Sequence, residues 1–77
     1  MQWFKLQKAE FLKKIGSKIV EIRKEKKISQ AKLAWQLGKD PQSIERIENG
    51  KINTSIFNLK EIADALEVEL KDLFVDL

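Results

Sequence analysis

A chain of 77 residues is long enough for one small domain, and its 43% hydrophobic and 35% charged residues suit a soluble globular protein. It contains no cysteine and no histidine, which excludes a disulfide framework and removes the commonest metal ligand and general base. No apolar run approaches the ~18 residues that a membrane span requires, so we expect a cytoplasmic protein without a membrane anchor.

The net charge of +3 is unevenly distributed. Residues 1–60 hold 14 Lys and Arg against 6 Asp and Glu, a balance of +8, whereas residues 61–77 hold 1 against 6, a balance of −5. A basic body with an acidic end suits a protein that presents one face to a polyanion such as nucleic acid. The same charges are also compatible with helices that are simply solvated.

The first predicted element is one long helix over residues 2–26, or two abutting helices. Its large apolar residues recur at i, i+4, i+8 and i+11, which is the spacing of an amphipathic helix, and we expect this stripe to face the core. The stripe consists of Phe11, Ile15, Ile19 and Ile22.

Two short helices joined by a tight turn are predicted over residues 30–49. The first, Gln30–Leu37, follows Ser29, whose hydroxyl can cap it. Gly38 ends this helix because a residue without Cβ turns left-handed at little cost. Asp40 caps the second helix, and Pro41 occupies its first position, where the missing N–H costs nothing.

The second of these helices has two faces with different chemistry. Ile44 and Ile47 point inward and form an apolar seam with residues of the preceding helix, which are Leu33, Ala34 and Leu37. The outward arc carries groups that suit base edges, because Gln pairs with adenine, Arg with guanine and Glu with the amino group of cytosine. This arc consists of Pro41, Gln42, Glu45, Arg46 and Asn49.

After Gly50, residues 51–54 form a polar loop in which we expect Ile52 to point inward. Ser55 is the predicted cap of a fourth helix over Ile56–Leu66. A last helix of one turn or little more is predicted over Leu70–Phe74. The fourth helix is expected to face the core with Leu59, Ile62, Ala63 and Leu66.

The segments SQAKLAWQLG, PQSIERIENGK and LKEIADALEVELKDLF resemble the helix-turn-helix of the lambda-repressor-like (XRE) family of phage repressors and Cro. The resemblance covers about residues 15–74. It implies an all-α, five-helix lambda-repressor-like DNA-binding domain that occupies residues 1–77 as a single unit. It further implies that residues 1–10 are an N-terminal extension of the first helix.

Several positions are interpreted through this resemblance. It implies a largely buried ion pair between Arg23 and Glu48 that fixes orientation. Lys27 stands where the family usually has glycine, so a left-handed turn there would give a lysine positive φ. The extension carries large apolar side chains that either cover the core or meet a partner subunit, and we favour the core. These are Trp3, Phe4 and Leu6.

Base contacts are expected from the outward arc, chiefly from Gln42 and Arg46. Glu45 either selects cytosine or neutralises Arg46 when DNA is absent. Pro41 matches the family's first base-reading site, where proline retains only apolar contact with a thymine methyl. Phosphates are expected beside the groove and at the start of the helix that begins at Gln30, where the dipole favours anions. The candidates for phosphate contact are Gln30, Lys39, Ser43, Asn49 and Lys51.

These features predict a sequence-specific regulator of transcription, with a repressor favoured, that binds a pseudo-palindromic operator in double-stranded DNA as a homodimer. The chain leaves no room for a domain that senses a small-molecule ligand, so control is expected from concentration or from a regulatory protein partner. No cofactor is expected. An enzyme is poorly supported, because the chain lacks a Gly-rich phosphate loop and a plausible carboxylate pair. The expected dimer surface is Leu70, Phe74, Val75 and Leu77.

The alternative is a protein-interaction adaptor or an antitoxin subunit that uses the same fold. The varied polar arc argues against an adaptor, since an adaptor groove would be more apolar. Phage repressors, antitoxins and restriction–modification controllers all remain open as classes. Trp35 is predicted on the outward side of its helix, where we favour packing on the extension over stacking near the DNA backbone.

Overall fold

Four α-helices and one 3₁₀ helix follow each other along residues 3–75, the part of the chain that the computed structural model describes, with side chains from residue 8 onward. No strand occurs within these residues. The all-helical prediction is therefore confirmed. The helices are α1 (Trp3–Glu25), α2 (Gln30–Leu37), α3 (Pro41–Glu48), α4 (Ile56–Ala65) and the 3₁₀ helix Leu70–Phe74.

The prediction of five α-helices is corrected to four, because the last element is a 3₁₀ helix of 5 residues. The Asp72 side chain accepts a hydrogen bond from the backbone N–H of Glu69 at 2.9 Å and so closes its first turn. Val75 is already extended, with φ −76° and ψ 140°, which leaves no room for a second turn. Tight i→i+3 turns of this kind are used in such short pieces.

The extension and the first predicted helix form one continuous helix, since α1 runs without a break from Trp3 to Glu25. The side chains of Trp3, Phe4 and Leu6 lie outside the described residues.

Each of the three shorter helices begins at the predicted cap. The Ser29 and Ser55 hydroxyls accept from the backbone N–H three residues later, at 3.0 and 3.1 Å. The Asp40 carboxylate accepts from the N–H two residues later at 3.0 Å, and Pro41 occupies the first helical position. Gly38 ends α2 with φ 65°. These local signals set the turn between α2 and α3 through hydrogen bonds within the segment itself.

Within residues 3–75, two residues other than glycine adopt the left-handed conformation. Lys27 has φ 58° between α1 and α2, which confirms the prediction, and Glu67 has φ 60° after α4. Each costs roughly 1–2 kcal/mol relative to glycine. Both turns are exposed, so the side chains themselves meet no obstacle.

The core lies where α1, α2, α3 and α4 converge. The predicted seam between α2 and α3 is buried, apart from Leu37, which is half-buried, and Ile28 packs partly against the core. The buried apolar residues are Ile15, Ile19, Ile22, Leu33, Ala34, Ile44, Ile47, Leu59, Ile62, Ala63, Leu66 and Leu73.

Two apolar side chains lie outside this core, against expectation. Phe11 is 44% exposed and Ile52 is 41% exposed. Both line an open groove rather than the interior, because the helical stripe of α1 extends one turn beyond the elements that cover it. Trp35 is 79% exposed on the outward side of α2, as predicted, and this exposure argues against the packing on the extension that we favoured.

Gly16 is the point where α1 approaches the end of α3 most closely. A Cβ built at this position would lie 2.3 Å from the carbonyl oxygen of Glu48 and 2.5 Å from that of Ile47. These are backbone atoms, so they cannot move aside without shifting α3. The glycine therefore sets the distance between α1 and the end of α3.

We expect Gly16→Ala to lower the free energy of unfolding by about 1–3 kcal/mol or more, as overpacking does, although alanine is the better helix former. Guanidinium unfolding followed by circular dichroism measures this change. Ser17→Ala is the matched control, since Ser17 is exposed and should change stability by no more than ~0.5 kcal/mol. A Gly16→Ala variant that is more stable than the wild type would contradict the close approach.

Candidate nucleic-acid interface

Helix α3 presents its predicted arc to solvent. Ile44 and Ile47 are buried on the opposite side, while Pro41, Gln42, Arg46 and Asn49 are exposed and Glu45 is partly exposed. The 8 residues of α3 form a rod about 12 Å long at 1.5 Å per residue. The inward Ile44 and Ile47 pack α3 against α1 and α2, so its polar side chains project from a fixed backbone.

The predicted ion pair between Arg23 and Glu48 is present and buried. Arg23 Nε donates to Glu48 Oε2 at 2.8 Å, and Arg23 Nη2 donates to Glu48 Oε1 at 3.2 Å. The two side chains are only 11% and 3% exposed. Arg23 Nη1 also donates to the carbonyl oxygen of Ile28 at 3.0 Å. The pair thus joins α1, the turn that follows it and the last residue of α3.

Gln30 adds a third donor to the same carboxylate, which the sequence did not reveal. Its Nε2 donates to Glu48 Oε1 at 2.9 Å. A primary amide has two N–H donors, so one remains for a phosphate at the start of α2. Among the described residues, no buried side-chain nitrogen or oxygen lacks a hydrogen-bond partner.

A second polar cluster lies on the exposed side of α3. Asn49 Nδ2 donates to Glu45 Oε2 at 2.6 Å and to the backbone carbonyl of Glu45 at 3.0 Å. Lys51 Nζ lies 3.3 Å from the same Oε2. The hydrogen bond from Asn49, followed by that from Lys51, lowers the pKa of the Glu45 carboxyl below its usual value. Glu45 is therefore ionised at neutral pH.

Glu45 makes no hydrogen bond or ion pair with Arg46, although the Arg46 charge adds a small attraction that lowers the pKa of Glu45 further, after the effects of Asn49 and Lys51. Neutralisation of Arg46, one of the two roles considered for Glu45, therefore stays a prediction. Consecutive residues of a helix point about 100° apart, whereas Asn49 lies one turn further along, on the same face. Within residues 8–75, the Arg46 guanidinium has neither a hydrogen bond nor an ion pair. It is therefore available to an external acceptor.

The remaining phosphate candidates lie near the N-terminal end of α3. Lys39 and Ser43 are half-buried, and the Ser43 N–H donates to the carbonyl of Asp40 at 2.9 Å. At the other end of α3, Lys13 and Lys14 line a shallow cleft together with Asn49 and Gly50. Lysines therefore lie beside the C-terminal end of α3 as well as in the turn that precedes it.

An apolar groove of about 280 Å³ opens beside the C-terminal end of α3. Ile56 lies at its rim and is 63% exposed, and the neighbouring Phe57 is 65% exposed. The sequence offered a signal for Phe57, which falls off the core stripe of α4, but not for Ile56, which precedes Leu59 by three and Ala63 by seven residues on the same side. The groove is lined by Phe11, Leu12, Ile15, Ile47, Ile52, Asn53, Thr54, Ile56, Leu59 and Phe74.

The predicted dimer residues are distributed unevenly around this groove. Phe74 lines it and is half-buried, Leu70 is half-buried against the core, and Val75 is exposed. Leu77 lies outside the described residues. The exposed apolar surface thus includes the start of α4 as well as the C-terminal end.

No helix in the described part of the chain combines the length and apolarity needed to cross a membrane. Residues 8–75 also contain no group of acidic side chains arranged to hold a metal ion.

Comparisons with known proteins agree with this geometry. Residues 19–73 match the family model described as Helix-turn-helix. The chain is 40% identical over 65 residues to the control protein C.MunI of Mycoplasma sp, an alignment that covers 83% of this chain and 88% of that protein. Its structure is similar to that of the restriction-modification controller protein C.AhdI from Aeromonas hydrophila, with a TM-score of 0.81 and 35% identity over 84% of this chain and 98% of the other.

We expect Arg23→Met to lower the free energy of unfolding by ~3–5 kcal/mol, because it leaves the Glu48 carboxylate buried without its cation. Urea unfolding measures the loss, and the double variant with Glu48→Met should recover much of it. Lys60→Met is the matched control, since the 2.7 Å pair that Lys60 forms with Asp64 is more than half exposed and contributes ~0.5 kcal/mol. Equal losses in Arg23→Met and Lys60→Met would contradict a structural role for the buried pair.

Proposed function

The chain belongs to the helix-turn-helix family, and from this membership we propose that it is a sequence-specific regulator of the restriction-modification controller type that reads operator DNA with α3. Its matched relatives are control proteins by their names, which favours this class over phage repressors and antitoxins. The supporting observation is the outward arc of α3, held on a buried seam and a buried ion pair. Such a protein acts on DNA in the cytoplasm and catalyses no reaction.

In this proposal α3 lies in the major groove and α2 spans the backbone above it. Gln42 pairs with adenine and Arg46 with guanine, while Glu45 accepts from cytosine and Pro41 contacts a thymine methyl. Gln30, Lys39 and Ser43 contact phosphates beside the groove. Asn49 and Lys51 were assigned to phosphates from the sequence, and in the free protein both are bonded to Glu45.

A homodimer follows from the short reach of α3. A helix about 12 Å long contacts only a few base pairs. Useful specificity therefore requires two half-sites about one turn of the DNA duplex, ~34 Å, apart. A second copy would cover the apolar groove, whose lining residues Ile56 and Phe74 are followed along the chain by the exposed Phe57 and Val75. Ile47 lines the groove and points away from the reading arc, so dimer formation would leave that arc free.

An operator that overlaps a promoter would exclude polymerase when it is occupied, so repression forms part of the proposal. The concentration of the protein, or a partner protein, would then set the degree of control. Selection of bound duplexes from a random pool at low salt tests the proposal. We expect enrichment of an inverted repeat. If no sequence is enriched, the fold serves as a protein-interaction adaptor instead.

We expect Arg46→Ala to relax the preference at one base position in each half-site and to cost ~1–3 kcal/mol of binding, because a bidentate contact to guanine is lost. Competition binding with duplexes altered at single positions measures both effects. Lys39→Ala is the control, since loss of a phosphate contact should weaken all sequences alike and reduce the salt slope by about 1. Uniform weakening by both variants would contradict this division of roles.

We expect Ile56→Asp to convert the protein to a monomer at micromolar concentration, because a carboxylate without a partner is costly in an apolar interface. Sedimentation equilibrium measures the change. Trp35→Ser removes a still more exposed apolar side chain, on α2 and outside the groove, and should leave the dimer intact. A dimer that survives Ile56→Asp but not Trp35→Ser would place the interface on α2.

A further inference from the structure

The carboxylate of Glu45 is held by one of its two oxygens. Asn49 Nδ2 and Lys51 Nζ both bond to Oε2, at 2.6 and 3.3 Å. Asn49 is itself fixed by its second hydrogen bond, to the backbone carbonyl of Glu45. Within residues 8–75, Oε1 of Glu45 has no hydrogen bond. In the free protein, Oε2 of Glu45 therefore accepts hydrogen bonds, and Oε1 remains available as an acceptor for another group.

The turn after α3 brings Lys51 to this position. The Lys51 N–H donates to the carbonyl of Arg46 at 2.9 Å and the Gly50 N–H to that of Ile47 at 3.1 Å, which folds the chain back over the end of the helix. The backbone of α3 thus orients both partners of Glu45. Because the turn is closed by its own hydrogen bonds, the arrangement does not require DNA to form.

The charges of this cluster matter for DNA binding. Lys51 and Glu45 neutralise each other, so their pair adds little attraction toward phosphates. An ionised carboxylate on a helix in the major groove is repelled by the backbone unless it receives a hydrogen bond there. Guanine and thymine offer it only acceptors at their O6, N7 and O4 atoms, and adenine places its N7 acceptor beside its amino group. Cytosine offers an amino donor and no acceptor on its own major-groove edge.

We propose that Glu45, Asn49 and Lys51 form one reading unit, in which Asn49 and Lys51 hold Oε2 so that Oε1 of Glu45 accepts from the amino group of cytosine. This inference rests on the proposed function of α3 in DNA recognition. It makes Asn49 and Lys51 positioning residues that act through Glu45, in place of the phosphate contacts assigned to them from the sequence. Their removal then changes which base is preferred, which the loss of a phosphate contact does not do.

The experiment is selection from a random duplex pool with the full chain, followed by competition binding to one selected duplex and one random duplex. Glu45→Gln should abolish the preference for cytosine at one position per half-site. It should also bind the random duplex about five- to tenfold more tightly at moderate salt, because a repelling charge is lost and Lys51 is released for one further phosphate.

The positioning residues give the sharper test. Lys51→Met and Asn49→Ala should each reduce the preference at that same position severalfold, and Lys51→Arg should retain it. In the presence of Glu45, Lys51→Met should leave the slope of log affinity against log salt nearly unchanged. In a Glu45→Gln background, the same change should reduce that slope by about 0.9, the value for one phosphate contact. Circular dichroism melting of each variant shows whether it is folded.

The outcomes separate this inference from the proposed function. If the wild type enriches an operator, but Lys51→Met and Asn49→Ala weaken all duplexes alike, with Lys51→Met also reducing the salt slope, both residues contact phosphates and the reading unit is overturned. If Glu45→Gln changes the preference at none of the positions where cytosine is preferred, the inference is also overturned, and DNA recognition by α3 stands. If the wild type enriches no sequence, the proposed function fails and the inference fails with it.

Discussion

The position of α3 depends above all on the charge of Glu48. Its carboxylate is buried at the last residue of α3, and an unpaired charge there would cost several kcal/mol. Arg23 and Gln30 meet it with three hydrogen bonds from two other helices. Such a pair adds little stability over an apolar replacement. Its effect is geometric, because the donors belong to α1 and α2 and the carboxylate to α3, so these hydrogen bonds join the three helices.

The packing of α3 and its close approach to the backbone of α1 stabilise the same arrangement of the three helices. Ile44 and Ile47 bury the inward side of α3, and Gly16 lets α1 touch its last carbonyl groups. At the exposed end, the turn at Gly50 returns Lys51 to Glu45. A short helix that would be marginal in isolation is thereby fixed along its whole length, so its backbone is already ordered before a ligand binds and only exposed side chains such as Arg46 remain to be ordered.

Local signals made most of the fold predictable from the sequence. Ser29, Gly38 and the pair Asp40–Pro41 act on their own backbone, so each predicted boundary holds within a residue. The features that the sequence did not predict depend on contacts between elements that are distant along the chain. Phe11 fits the helical stripe of α1 but lies beyond the elements that cover it. The bond between Lys51 and Glu45 depends on a turn that residue spacing does not show. The roles of the arc in base recognition remain predictions.

The central claim is that the fixed outward arc of α3 enters the major groove. Methylation interference on a selected duplex tests it most directly, because dimethyl sulfate modifies guanine N7 in the major groove and adenine N3 in the minor groove. We expect methylation of guanine N7 to block binding at symmetric positions in both half-sites. Methylation of adenine N3 within the same half-sites should be tolerated. Interference confined to adenine N3, or absent at every guanine, would contradict the claim.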